Sequence, residues 1–191
     1  DYNTLIMVDD AHATGTIGNG HGTAAYFGLE KEVDIQLGTL SKSLGSVGGY
    51  VAANSTIIDY LVNTSRSFIF STALSPADIG AALAALHVLE SDVSVLQRLH
   101  ENVNYMADRL ISMGIDATNE TPIFPILIGR NEDTLAVSNY LYEAGIIGTA
   151  IRPPTVPIGE SRIRLTVTAA HNREQIDYVC HTLHKAIQTV K

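Results

Sequence analysis

Two short apolar runs near the start of the chain are each followed by an ionisable residue of a type common in active sites. The first run, Leu5 to Val8, is followed by Asp9, and the second, Ile35 to Gly38, is soon followed by Lys42. Short apolar runs bounded by polar residues and glycine are typical of buried strands. Ligands of open α/β sheets bind outside the carboxyl ends of parallel strands. The two runs therefore predict an α/β sheet with Asp9, His12 and Lys42 in one crevice.

Composition and charge limit the partners of the 191-residue chain. Apolar residues make up 46% of the sequence, which is enough for a sizeable core. The chain has 12 Lys and Arg against 20 Asp and Glu, a net charge of −8, and no basic patch. The longest apolar stretch, residues 81–86, is too short to span a bilayer. We therefore expect neither nucleic acid nor a membrane as a partner.

Cysteine and histidine usage indicates the compartment and the absence of a metal. Cys180 is the single cysteine, so an intramolecular disulfide is impossible, as is usual in a reducing cytoplasm. The seven histidines show no zinc-binding spacing beyond the i, i+3 pair His181 and His184. We therefore expect a cytoplasmic protein without a metal site.

The pattern of the chain changes after a long helical segment. Short strands alternate with loops up to about residue 75, and a third strand is predicted over residues 49–53. Ser55 is a candidate N-cap for a helix over residues 56–62. Ser75 followed by Pro76 predicts the start of a long helix that runs to Met113, with a bend near Asp92. A compact α+β unit follows, with strands over 123–128, 146–151 and 162–168 and helices over 133–144 and 173–190.

Lys42 is the candidate nucleophile. Its neighbours are small residues that leave room for a bulky ligand. An amine that is poorly solvated at such a place has a lowered pKa, as a Schiff-base lysine requires. A surface lysine in a Ser/Gly turn is the alternative. The pair Asp9 and Asp10 likewise also fits a turn or a helix cap.

Three ordered motifs resemble the α-oxoamine synthases, which are pyridoxal 5′-phosphate (PLP) enzymes of the aspartate-aminotransferase fold. The motifs are Asp9 to Gly15, Thr39 to Lys42, and the neighbouring segments Ile151 to Pro157 and Ser161 to His171. The resemblance runs over essentially the whole chain and matches the C-terminal half of such enzymes. It implies an α/β fold of PLP fold type I. Residues 1–90 would form the C-terminal part of the PLP-binding large domain, and residues 91–191 a small C-terminal α+β domain.

The resemblance implies roles for four residues around PLP. Lys42 is expected to form the Schiff base with the cofactor and later to move the α-proton of the amino acid. Asp9 is expected to face the pyridine nitrogen and keep it protonated. His12 is expected to hydrogen-bond the phenolic oxygen of the cofactor, and Thr39 to contact its phosphate. Asp10 matches a variable position and is assigned a structural role.

Ser71 and Thr72 match a segment that reaches the cofactor phosphate of the opposite subunit. This match implies a homodimer with a shared active site. The alternative is a plain strand-to-helix loop, in which small hydroxyl residues are common.

The resemblance also implies substrate contacts in the second half of the chain. Arg162 and Arg164 lie on one face of a predicted strand, and the period of two cannot choose between them as the carboxylate ligand. The family match chooses Arg164. Arg152 and Thr155 match a proline-rich loop that lines the substrate entrance, and a rigid turn is the alternative.

The reaction implied by the resemblance is a decarboxylative condensation. L-alanine would react with pimeloyl-CoA, or with a pimeloyl carrier protein, to give 8-amino-7-oxononanoate for biotin biosynthesis. A second reading is glycine C-acetyltransferase or another α-oxoamine synthase, because fold-level similarity does not settle the substrate. A third reading is that the chain alone is non-catalytic and acts through association, because the family's phosphate-loop and ring-stacking residues belong to the other half.

Overall fold

The computed structural model describes residues 4–190, which divide into two compact units. The first unit ends at Leu96 and the second begins at Gln97. The boundary expected from the sequence lies between residues 90 and 91. The assignment of the two parts to a large and a small domain stays a prediction.

A three-stranded sheet of order β1-β2-β3 forms the frame of the first unit. Its strands are β1 (Met7–Asp9), β2 (Ile35–Thr39) and β3 (Gly49–Ala53). β1 and β2 are parallel, and β2 and β3 are antiparallel. β1 begins later than predicted because the Ile6 N–H donates to the carboxylate of Asp34 at 2.8 Å. The bounds of β3 are as predicted.

Side-chain caps start the longer helices of the first unit. Its helices are α1 (Thr23–Tyr26), α2 (Ser55–Thr64), α3 (Arg66–Ile69) and α4 (Pro76–Ser91). Asn54, rather than the predicted Ser55, is the N-cap of α2, because its side chain accepts the Ile57 N–H at 3.0 Å. Ser75 accepts the Asp78 N–H and caps α4, which confirms the predicted Ser-Pro start.

The single long helix predicted from Pro76 is interrupted at Asp92. A separate helix, α5 (Val93–Ser112), follows α4. Asp92 has φ −124° and ψ 83°, which is not helical. Its Oδ1 accepts the Ser94 N–H at 3.0 Å. Because an Asp side chain competes well for N–H groups at a helix start, Asp92 ends one helix and begins the next.

No single helix among residues 4–190 is long and apolar enough to cross a bilayer. Only α4 and α5 taken together, across the bend between them, have the length and composition of a membrane span.

The second unit packs helices on one face of an antiparallel sheet of order β4-β6-β5. Its further elements are β4 (Ile123–Gly129), α6 (Asn131–Glu143), β5 (Thr149–Ile151), β6 (Ser161–Thr166) and α7 (Arg173–Gln188). Ile163 and Leu165 of β6 are buried and Arg164 between them is exposed, as expected for a sheet with one covered face. β5 is shorter than predicted because Ile146 is used elsewhere: its N–H donates to the Leu141 carbonyl and its side chain is buried.

A charged network joins α5 to α7. Asp177 accepts the Tyr105 hydroxyl at 3.0 Å and the Arg109 Nε at 2.6 Å. Partial burial raises the pKa of Asp177, but the hydrogen bonds from Tyr105 and Arg109 outweigh it, so the pKa lies below its usual value. The bond to Asp177 raises the pKa of Tyr105. Next to this network, burial raises the pKa of the free Cys180 thiol to about 11.

Candidate active site

Asp9 and Asp10, at the end of β1, have different surroundings. Asp9 is exposed, and its Oδ1 accepts the Ala11 N–H at 3.0 Å, while no residue that the structure describes donates to its Oδ2. Asp10 is only 3% exposed, and its Oδ2 accepts the Thr23 N–H at 3.0 Å, at the start of α1. Successive residues of an extended chain point to opposite faces. One carboxylate is therefore open to a ligand and the other is structural.

Asp9 and Thr39 lie on one face of the first sheet, at the same edge. Asp9 is opposite Leu37 in the parallel ladder, and Thr39 is two residues beyond Leu37. Paired residues of parallel strands point the same way, as do residues two apart in one strand. The carboxyl ends of β1 and β2 therefore place both side chains where ligands of such sheets bind.

Lys42 lies in the loop of residues 40–48 between β2 and β3. The loop is closed by bonds from the Leu40 N–H to the Gly48 carbonyl and from the Ser46 N–H to the Leu40 carbonyl. Leu44 is buried and anchors it. The Lys42 side chain is exposed and makes no hydrogen bond or ion pair within residues 4–190. The amine is therefore open to a ligand among the described residues, and its expected poor solvation stays a prediction.

The Thr39 hydroxyl is already fully used. It donates to the Gly48 carbonyl at 3.0 Å and accepts the Ser41 N–H at 3.2 Å. The Ser41 hydroxyl is 2.8 Å away and acts as a further donor, since the single Thr39 proton is taken. A bond from Thr39 to a phosphate oxygen would therefore require it to release Gly48.

His12 lies in a turn that follows β1. The N–H groups of Ala13 and Thr14 donate to the Asp10 carbonyl at 2.9 and 3.0 Å, and the Thr16 hydroxyl donates to the His12 carbonyl at 2.9 Å. The His12 side chain is exposed. These bonds fix the backbone around His12 in a turn and leave His12 exposed at the surface of the unit.

Ser71 and Thr72 follow the short helix α3 and are both exposed. The Ser71 hydroxyl donates to the Ser67 carbonyl one helical turn earlier. Farther along, Leu74 packs on Gly48, where an added Cβ would lie 2.6 Å from the leucine Cδ1. Gly48 also has φ +104°, so glycine is required there on both grounds. The segment after α3 therefore touches the loop that contains Lys42.

In the second unit, contacts distinguish the two arginines that the period of two left equivalent. Both lie on the less covered face of β6. Arg162 donates through Nη2 to the Glu160 carboxylate at 2.9 Å and through Nε to the Glu160 carbonyl at 3.0 Å. Arg164 is exposed and has no hydrogen bond or ion pair to any described residue. Arg164 is therefore the guanidinium that is available to bind a carboxylate.

Arg152 and Thr155 lie in the turn that follows β5. The Thr155 N–H donates to the Arg152 carbonyl at 3.0 Å, and both residues are exposed. The Arg152 guanidinium has no ion pair to another residue in the described part of the chain. The turn and an available cation are thus both present, and the substrate role of this loop stays a prediction.

Two residues outside the motifs, Ser43 and Tyr50, connect the loops of the first unit through Thr14, which lies within the first motif. The Ser43 hydroxyl donates to the Thr14 carbonyl at 2.7 Å, and the Tyr50 hydroxyl is 3.0 Å from Thr14 Oγ1. Bonds between loops far apart in sequence leave no periodic signal. The position of Ser43 beside Lys42 was the available hint.

No group of three or more His, Cys, Asp or Glu within residues 4–190 is placed to hold a metal ion.

Comparison with known proteins identifies the family. The model of the aminotransferase class I and II family matches residues 1–183. The chain therefore belongs to the aminotransferase class I and II family. Among curated proteins, it is 44% identical over 187 residues to 8-amino-7-oxononanoate synthase of Lysinibacillus sphaericus, a match that covers 97% of this chain and 48% of that protein. The chain thus spans about half the length of the curated relatives that it matches.

Solved structures give the same fold. A serine palmitoyltransferase from S. paucimobilis matches with a TM-score of 0.92 and 28% identity, over 98% of this chain and 48% of that one. The 8-amino-7-oxononanoate synthase of Francisella tularensis matches with a TM-score of 0.83 and 26% identity, over 96% of this chain and 55% of that one. The predicted α/β fold class and the resemblance to α-oxoamine synthases are both confirmed.

Proposed function

We propose that the full-length protein is a PLP-dependent α-oxoamine synthase that condenses L-alanine with a pimeloyl thioester to 8-amino-7-oxononanoate. The observation that carries this proposal is the placement of an available amine, Lys42, and an available carboxylate, Asp9, beside parallel strand ends. The 44% identity to a synthase of that name supports the choice of reaction. The thiol carrier, CoA or a carrier protein, leaves with CO2 in this reaction.

The residues on the first unit fit PLP as a ligand. A serine palmitoyltransferase of the same fold contains bound PLP. Lys42 would hold the cofactor covalently, and Asp9 Oδ2, which has no donor from residues 4–190, would face the ring nitrogen. A fixed carboxylate raises the pKa of that nitrogen and keeps it protonated. When bound, PLP supplies an electron sink for the carbanion at the substrate α-carbon.

The remaining side chains orient the substrate and move a proton. Once the amino group of the substrate has taken the place of Lys42, the released Lys42 amine would remove the α-proton of the amino acid and would return a proton after decarboxylation. Arg164 binds the carboxylate of the amino acid, a task for a planar fork with two parallel N–H groups. His12 would donate to the phenolic oxygen of the cofactor, and Arg152 and Thr155 would line the entrance for the acyl chain.

The exposed segment with Ser71 and Thr72 supports a homodimer. Neither side chain is buried by the chain itself, and the segment packs through Leu74 beside the loop that contains Lys42. We propose that these hydroxyls bind the cofactor phosphate of the partner subunit.

A serine palmitoyltransferase is the second candidate. Structural similarity favours it, with a TM-score of 0.92 against 0.83 for the Francisella tularensis synthase. Sequence similarity favours the first candidate, because 44% identity to a curated synthase exceeds 28%. Backbone similarity reports the fold, whereas the substrate depends on side chains at the site.

The test compares Lys42→Ala with Lys31→Ala in the full-length protein. Lys31 is an exposed lysine of the same unit outside the proposed site. We expect wild type and Lys31→Ala to show the visible absorption band of a PLP–lysine adduct, and Lys42→Ala to lack it. Lys42→Ala should also lower kcat by at least about 10³-fold, since it removes a general base as well as the covalent link.

Substrate pairs then separate the candidates. Product formation is measured with L-alanine and pimeloyl-CoA, with L-serine and palmitoyl-CoA, and with glycine and acetyl-CoA. A higher kcat/KM for either of the last two pairs would replace the proposed reaction by that of another family member. A wild-type protein without a Lys42-dependent band would refute the PLP assignment itself.

A further inference from the structure

We propose that Thr14 is a positioning residue that holds the turn bearing His12 against the loop bearing Lys42. Its partners are Ser43 and Tyr50, and the three residues together are called the Thr14 junction. The catalytic meaning of the junction rests on the proposed function, whereas its effect on the two loops does not depend on any cofactor.

The first bond of the junction connects the two loops directly. The Ser43 hydroxyl, on the residue next to Lys42, donates to the Thr14 carbonyl at 2.7 Å. The approach is close because Gly15 has no side chain: a Cβ there would lie 2.7 Å from Ser43 Oγ. Gly15 also has φ +75°, a conformation that favours glycine. The backbone is therefore shaped so that the two loops meet at this point.

The second bond connects the turn to β3. Thr14 Oγ1 donates its only proton to the Asp10 carbonyl at 3.2 Å, so the Tyr50 hydroxyl at 3.0 Å is the donor to Thr14 Oγ1. The Tyr50 ring reaches this place across β2, where Gly38 is its partner in the ladder. A Cβ on Gly38 would lie 2.5 Å from the Tyr50 hydroxyl oxygen. A second glycine thus makes room for the junction.

The junction joins the three parts of the first unit that the proposed chemistry needs. Asp10 follows Asp9 directly, Thr14 lies two residues after His12, and Ser43 follows Lys42. None of the three junction side chains has a proposed contact with substrate or cofactor. Because Lys42 is on an exposed loop, the bond from Ser43 fixes its backbone relative to the residues that surround the cofactor ring. A displacement of about 1 Å at such a site costs about 10²-fold in rate.

Ser46 provides a matched control for Ser43. Its hydroxyl also donates to a carbonyl at 2.7 Å from the same loop, but the acceptor is Asp78 in α4. Ser43→Ala and Ser46→Ala therefore remove the same kind of bond from the same loop. Only Ser43→Ala disconnects the loop from the turn with His12.

The first measurement is amide hydrogen exchange in the cofactor-free, full-length protein. We expect Ser43→Ala to speed exchange in residues 11–16 and in residues 40–48. Ser46→Ala should affect only residues 40–48 and the start of α4. Equal exchange changes in residues 11–16 for the two variants would overturn the junction.

The second measurement is steady-state kinetics. Ser43→Ala, Tyr50→Phe and Thr14→Val should lower kcat by about 10-fold to 10²-fold with KM for L-alanine little changed, because alignment rather than binding is lost. Thr14→Val and Thr14→Ser both keep the backbone carbonyl that accepts from Ser43, but only Thr14→Ser keeps the hydroxyl next to Tyr50, so it should restore most of the rate. An unchanged kcat in Ser43→Ala, or the same loss in Ser46→Ala, would overturn the positioning role.

Failure of the proposed function has a different signature. It would appear as a wild-type protein without the Lys42-dependent absorption band. The exchange comparison in the cofactor-free protein would still decide whether Ser43 connects the two loops.

Discussion

The two units of the chain differ in what fills their interiors. In the first unit, the buried apolar residues among those described are Ala13, Ala24, Leu44 and Ala82. In the second, large side chains such as Phe124 are buried completely or nearly so; others are Leu110, Leu141, Ile163 and Leu183. Since hydrophobic stabilisation scales with buried apolar area, the second unit contains far more of its own stabilising core.

The unit with the smaller core is the one that contains Asp9, His12 and Lys42. It also exposes large apolar side chains, among them Phe70, which is 78% exposed. Exposed apolar surface of this kind is typical of surfaces that are covered in an assembly. Within residues 4–190, the loops of this unit are held by specific hydrogen bonds, such as those of Asp10 and Thr14. The difference shows that polar contacts hold these loops where the chain itself buries few large side chains.

The largest expected effect is from Phe124→Ala, compared with Leu44→Ala. Phe124 is 1% exposed in the core of the second unit, and its truncation should cost about 3–5 kcal/mol of the free energy of unfolding. Leu44→Ala should cost about 2 kcal/mol, at the low end for such a change, because the loop around it can collapse. Urea unfolding of the full-length protein measures both.

Labelling of Cys180 assigns the Phe124→Ala effect to the second unit. The thiol is buried and its pKa is raised to about 11, so it should be unreactive in the folded protein. Phe124→Ala should speed its reaction with a thiol reagent, whereas Leu44→Ala should not. A larger loss in Leu44→Ala would break the contrast between the two interiors.

An intermediate effect is expected for Arg164→Lys, with Arg162→Lys as the control. Arg164 has no partner among residues 4–190, and replacement by lysine removes a planar fork for a carboxylate. We expect the KM for L-alanine to rise about 10-fold to 10²-fold, because one charge-assisted bond is worth about 1.5–3 kcal/mol. Arg162 is already bonded to Glu160, so its replacement should have little effect.

The arginine pair tests whether the unit with the large core also takes part in binding. Equal changes in KM would mean that neither arginine is selected as the carboxylate ligand. A larger change in Arg162→Lys would assign that role to the other arginine.

The smallest expected effect is a change in the pH dependence of stability in Asp177→Asn. The pKa of Asp177 is lowered in the folded state, so its bonds stabilise fully above its unfolded pKa of about 3.9 and are lost as the pH falls through the folded pKa. The pKa of Tyr105 is raised, so its contribution is lost only as the pH rises above about 10. Wild type should lose stability below about pH 4, and Asp177→Asn should lose less over that range.

The comparison requires urea unfolding midpoints at about five pH values between roughly pH 3 and pH 7. Asp108→Asn is the control, because Asp108 is an exposed carboxylate on the same helix, α5. If Asp177→Asn kept the full acid dependence of wild type, the network between α5 and α7 would not be its source.

Much of the fold could be predicted because local signals were strong. Ser75 with Pro76 marked the start of α4, and the bounds of β3 were as expected. The predicted bounds were wrong where a residue made its hydrogen bond, or buried its side chain, outside the helix or strand predicted for it. The Ile146 N–H bonds the Leu141 carbonyl in the turn after α6, so Ile146 does not extend β5. Asp92 caps α5, so α4 and α5 are two helices rather than one bent helix. Tertiary context decides such choices, and a window of sequence does not contain it.

The site was less predictable than the fold. Motifs singled out Asp9 and Lys42, and the buried state of Asp10 agrees with its structural assignment. The period of two could not choose between Arg162 and Arg164; the resemblance favoured Arg164, and the contact of Arg162 with Glu160 leaves Arg164 available. Ser43 and Tyr50 were missed because bonds between distant segments follow no period. The proposed roles at the cofactor stay predictions.

The connections of the first sheet have a consequence for the order of folding. β2 and β3 are joined by residues 40–48 alone, whereas β1 and β2 are joined by the crossover of residues 10–34. Closing a short loop costs less chain entropy, and local pairings form faster than distant ones. We therefore expect the hairpin that presents Lys42 to form early and the strand that presents Asp9 to dock later. Amine and carboxylate would then meet only in the final stage of folding, so a partly folded chain would hold the lysine without its acidic counterpart.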